Sequence, residues 1–164
     1  MSKPAVQLIN PRDVGLPVLD GKTPVFDSDA LARADQTMKA MSGSFQQWLE
    51  ADVSRLQHAR LAAVRAGWSD AAIEQLMCVA HDIKGMGASY GYPLATQIAA
   101  SLCRLTETAA GKSVVRGAPG LAEAHVDALR AVMRDKIKTP EHPVGRALLG
   151  ALNSEVERLG VAPR

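Results

Sequence analysis

Between Ser44 and Leu159 apolar side chains return every three or four residues, in stretches parted by glycine or proline. That period lays a stripe down one side of an α-helix and fits no strand, whose faces alternate every second residue. In the first stretch, Ser44 to about Ala66, the stripe is Phe45, Trp48, Leu49, Val53, Leu56 and Ala63, with Gly67 suited to the C′ position. Ser69-Asp70 caps a second stretch that runs to Tyr90 and aligns Ile73, Leu76, Ala80, Ile83, Gly87 and Tyr90. Gly91 closes it, and Pro93 suits the first turn of a third, with Leu94, Ile98, Leu102 and Leu105 in line and an end near Gly111.

Residues 112 to 120 read as a loop. Helix resumes near Leu121, with Leu121, Val126, Leu129, Val132, Met133 and Ile137 inward, and is broken by the prolines of 139 to 143. Val144, Ala147, Leu148, Ala151, Leu152 and Leu159 define a last helix. Asp27-Ser28-Asp29 reads as the cap of a short helix through about Met41. Short connections favour antiparallel neighbours. The expected fold is therefore all-α: an antiparallel four-helix bundle over about 44–138, with additional N- and C-terminal helices at about 28–41 and 144–159. Residues 28–164 then form a single helical domain. Residues 1–27 hold Pro4, Pro11, Pro17, Pro24, Gly15 and Gly21 and are expected to be an extended arm, pinned by Val18, Leu19, Val25 and Phe26.

Composition agrees with helices and narrows the function. Aromatics are 4% of the chain while alanine and leucine recur, a mixture that loses little on entering a helix. A formal charge of +2, from 19 basic and 17 acidic residues, gives no strong field for nucleic acid or anionic lipid. Cys78 and Cys103 form no CxxC pair, which favours a reduced, cytoplasmic setting. No apolar run approaches a membrane span, and Met1 to Val6 carry no signal-peptide core.

The chemistry concentrates in Ala80-His-Asp-Ile-Lys-Gly-Met-Gly-Ala-Ser-Tyr-Gly91. At 3.6 residues per turn, His81 sits roughly 120° from the centre of the core stripe and should be exposed. Met77, Cys78, Lys84, Gly85 and Ala88 share its side. A mid-helix glycine costs about 1 kcal/mol relative to alanine, and Gly85 lies too far from the stripe for packing to explain it. It leaves the imidazole clear for a docking partner. Lys84, three residues on, can reach a phosphoryl group carried on the ring. The ring itself is the nucleophile, provided one nitrogen is unprotonated.

His81-Asp-Ile-Lys84-Gly85, followed by Gly91, resembles the signature of histidine-containing phosphotransfer (HPt) domains. The resemblance rests on residues 81 to 91 in identity and on about Phe45 to Ile137 in helical layout. It implies a four-helix bundle that accepts phosphate on His81 and passes it to or from an aspartate of a response-regulator receiver domain, with a histidine kinase, possibly hybrid, upstream. It implies a phosphoryl carrier, not an enzyme. The chain would bind no cofactor of its own, since Mg²⁺ would come with the receiver. His81 would be the phosphorylation site and Lys84 its electrostatic support, with Gly85, Met77, Cys78 and Ala88 around the docking surface. Two positions depart from the family pattern. Met86 stands where many members have a small residue. No glutamine lies between Ser101 and Arg104, the part of the next helix level with His81, so Ser101 or Arg104 would have to orient the ring.

Other readings compete. His58, His125 and His142 read as surface or packing residues. Cys78-x-x-His81 has a metal-ligand spacing, but no second tight pair accompanies it. A kinase-dimerisation helix would need a threonine-proline pair where Lys84-Gly85 stands, and no Gly-rich ATP-binding motif is present. A helical adaptor that binds signalling partners without phosphate chemistry would leave the His81-Lys84-Gly85 grouping unused.

Overall fold

The computed structural model describes residues 28–160, the side chains of Met38 and Ser42 excepted. The expected arm over 1–27 lies outside the described residues. The described residues hold six α-helices: α1 Ser28–Arg65, α2 Asp70–Met86, α3 Pro93–Glu107, α4 Ala109–Gly117, α5 Gly120–Arg134 and α6 Pro143–Arg158. No strand is present among them.

The chain divides into two compact units between Lys39 and Ala40. Of the first, Ser28–Lys39 is described. It is exposed helix, tied along its own surface by Thr37 Oγ1 donating to Arg33 O at 2.9 Å and by a 2.6 Å Lys39–Asp35 pair. Two helices parted near Gly43 were expected from the sequence. A single helix runs through Gly43 instead. One interior glycine costs only about 1 kcal/mol, and no proline interrupts the ladder.

In the second unit the sequence stripes converge on one core. Leu49, Val53, Leu56 and Ala63 of α1 join Ile73, Leu76, Ala80 and Ile83 of α2. Leu94, Ile98, Leu102 and Leu105 of α3 meet Val126, Leu129 and Val132 of α5, and Leu152 and Val156 of α6 close over them. Phe45 and Trp48 depart from the expected inward stripe. Trp48 is exposed, and the two rings lie 5.5 Å and 5.9 Å from Tyr90 in a three-ring cluster of their own.

Helix ends follow local chemistry. Gly67 takes φ +58°, and the Gly67 and Trp68 amides return to Val64 O and Ala63 O, the doubly closed C-terminus that a left-handed C′ residue allows. The same closure recurs after α2. Regular helix stops at Met86, four residues before the expected Tyr90, but turns carry the chain to Gly91 at φ +83°. There the Tyr92 and Gly91 amides bond Gly87 O and Ala88 O. Pro93 opens α3 as expected, but α3 ends at Glu107 rather than Gly111.

Two further corrections concern the C-terminal half. The expected loop over 112–120 is largely helix α4, started by Thr108, whose side chain accepts from the Gly111 amide at 3.0 Å. Val115 buries its inner face. In α6 the expected inward residues Val144, Ala147 and Ala151 are exposed, while Gly145, Leu152 and Val156 are buried. A Cβ on Gly145 would lie 2.8 Å from Leu94 Cδ2. The smallest side chain thus sets the line along which α6 meets α3.

Candidate functional site

Helix α2 buries Ile73, Leu76, Ala80 and Ile83, and Gly87 just after it is buried too, so the opposite side faces solvent. His81 is exposed there, Cys78, Gly85 and Ala88 are exposed with it, and Met77 and Lys84 are half-buried. A Cβ built on Gly85 would meet nothing within 4 Å. The inward glycine behaves oppositely. A Cβ on Gly87 would stand 2.8 Å from Thr96 Oγ1 and 3.1 Å from Thr96 N, so α3 packs closely against the chain at Gly87.

His81 opens onto a cleft of about 610 Å³ lined also by Lys84, Gln97, Ala100, Arg104, Glu107 and Asn153. Three helices build it. α2 gives His81 and Lys84, α3 gives a face repeating at 97, 100, 104 and 107, and α6 gives Asn153. Lys84 Nζ lies 3.9 Å from Glu107 Oε1, a loose and partly solvated pair that leaves the ammonium free to turn to a stronger anion. Asp82, beside His81 in sequence, is turned to Arg55 at 3.6 Å.

The other expected site residues divide. Arg104 lines the cleft. Ser101 does not: it is fully buried, and its Oγ lies 3.0 Å from His125 Nε2. His125 is itself fully buried, with Nδ1 2.7 Å from Leu121 O. Burial lowers its pKa to about 4, helped by the Arg104 charge and opposed by the Leu121 carbonyl. Cys78 lies in a separate cleft between α1 and α2, with Arg55, His58 and Glu74. Cys103 is buried, which raises its thiol to about 11, with Lys84 acting against the shift and Glu107 with it. Among the described residues no group of three or more His, Cys, Asp or Glu side chains is placed to hold a metal ion.

Gln97, Glu107 and Asn153 were not singled out in the sequence. Gln97 and Glu107 carry a legible signal: with Arg104 they form a polar stripe at helical spacing beside the apolar stripe of α3. Gln97 lies one turn before Ser101 on α3 and lines the cleft. Nothing local marks Asn153, which enters from a helix nearly fifty residues further on.

Among the described residues, a helical body presents an imidazole ring beside two cations in one surface cleft. A family model described as an Hpt domain matches residues 40–160. The chain belongs to the Hpt-domain family, whose members are phosphocarriers of two-component signalling that work with kinases and receiver domains. No curated protein and no solved structure gives a match. No helix among the described residues is long and apolar enough to cross a membrane.

Proposed function

We propose that this chain accepts a phosphoryl group on His81 and exchanges it with the aspartate of a receiver domain in a phosphorelay. The observation that carries the reading is the exposed imidazole sharing a polar cleft with Lys84, beside a glycine with open space over it. The scaffold is read as an antiparallel four-helix bundle of α1 from Ala40, α2, α3 and α5, with α6 laid against it.

A ring nitrogen of His81 attacks phosphorus in line with the aspartyl oxygen. Its lone pair makes the N–P bond as the P–O bond breaks, and the electrons leave on the receiver's carboxylate. Lys84 leaves Glu107 for the phosphoryl oxygens, where a dianion offers it a stronger partner. Gly85 gives clearance, and Met77, Cys78 and Ala88 border the docking surface. Mg²⁺ comes with the receiver and neutralises charge on the group in transit. Return of phosphate to a second receiver reverses the same step. A cytoplasmic setting suits such partners.

The test is transfer from a phosphorylated receiver domain. Wild-type protein is expected to take up label and His81→Gln to take up none. Undiminished labelling of His81→Gln contradicts the proposal.

A further inference from the structure

Arg104 shares the His81 cleft, and the way it is held sets it apart from the surface arginines. Its Nη2 donates to Ser101 Oγ at 3.2 Å and to Asn153 Oδ1 on α6. Ser101 is in turn joined to His125, and His125 to the Leu121 carbonyl. A carbonyl can only accept, so His125 Nδ1 carries the ring proton and donates it to Leu121 O. Nε2 is then an acceptor, and the Ser101 hydroxyl donates its hydrogen bond to it. The remaining lone pairs of Ser101 Oγ take the N–H of Arg104. Burial keeps His125 neutral, so the chain keeps this direction near pH 7. Ser101 and His125 are fully buried. Only the guanidinium at the end of the chain reaches the cleft.

Both bonds from Arg104 use Nη2. Nε is buried with no acceptor, and Nη1 has none among the described residues. An unpaired buried donor is uncommon in a folded protein. Glu107, the one carboxylate lining the cleft, is paired with Lys84 rather than Arg104. A permanent cation with spare donors and a fixed plane suits a phosphoryl group better than a carboxylate that is already engaged.

We propose that Arg104 is a second phosphoryl-binding cation of this site, aimed by the buried Ser101–His125 chain and by Asn153 of α6. The inference rests on His81 as the carrier. Arg104 binds the group once it stands on His81, while Ser101, His125 and Asn153 are positioning residues. Helix α6, packed against α3, thereby completes the site.

The test charges full-length protein with phosphoramidate, which needs no protein partner. A His81 nitrogen displaces ammonia from phosphorus, and the phosphohistidine is followed by ³¹P NMR. Arg104→Gln is expected to shorten its half-life at least about tenfold, the scale of one charge-assisted hydrogen bond. Asn153→Ala is expected to shorten it about threefold, and to add nothing in the Arg104→Gln background. Circular dichroism verifies the fold of each variant, and Asn153→Ala alone carries the test if Arg104→Gln does not fold. Equal half-lives in wild type and folded variants, with His81 labelled throughout, would overturn the role of Arg104 and leave the carrier intact. Additive effects in the double variant would overturn the positioning. Label that survives His81→Gln would remove the carrier reading and this inference with it.

Discussion

Gly85 and Gly87 stand two residues apart at the end of α2 and answer to opposite constraints. A side chain at Gly87 would crowd the hydroxyl and amide of Thr96 on α3, and one at Gly85 would enter open space. The inward glycine is explained by the protein itself, since two helices meet there with no room for a methyl. The outward glycine weakens the helix by about 1 kcal/mol with no packing inside the chain to require it, and in the function proposed above it leaves clearance for a docking partner. The same contrast runs along the whole helix. One face is settled by Ile73, Leu76, Ala80 and Ile83 in the core, the other by His81, Lys84 and the cleft.

The largest expected effect lies on the buried side. Unfolded, His125 takes a proton near 6.5, but folded only near about 4. Between those values the unfolded chain binds more protons, so stability falls as pH drops through the window, by about 3 kcal/mol in all. Urea unfolding of wild type and His125→Gln tests this. The stability difference between them should shift by about 3 kcal/mol from pH 7 to pH 4, and a pH-independent difference would show that His125 is not held neutral. Next comes Gly87→Ala, expected to cost about 2 kcal/mol because α3 must move away from α2. Thermal melts as stable as wild type would show that the close approach yields easily. Gly85→Leu should melt no lower than wild type, since leucine also favours helix over glycine, and should slow transfer from a receiver more than tenfold, as the side chain fills the approach to His81. Normal transfer in that variant would end the contrast between the two glycines. The smallest effect is Gly85→Ala, expected to gain up to about 1 kcal/mol of stability from helix propensity.

How far the sequence foretold this contrast depended on the range of the interaction concerned. The stripe of α2 and the turn at Gly91 were legible because period and φ are local properties. The turn shows it in detail: only a residue at ease at positive φ lets Tyr92 and Gly91 bond back to Gly87 O and Ala88 O. Helix α4 was missed because Val114, Val115 and two glycines weigh against helix locally, and the Thr108 cap with a buried Val115 outweighs them. The buried face of α6 is not legible in the sequence because Gly145, which has no side chain to signal burial, is the residue that fits under Leu94. Ser101 looked available to His81 by level alone. Only packing shows that a buried histidine from α5 already holds it, and that Asn153 reaches the cleft from α6.

The most direct measurement is where the phosphate sits. Protein charged by a phosphorylated receiver domain, digested at neutral pH and read by mass spectrometry, should carry one acid-labile phosphoryl group, on His81. A phosphoryl group on any other side chain, with His81 unmodified, would contradict the account.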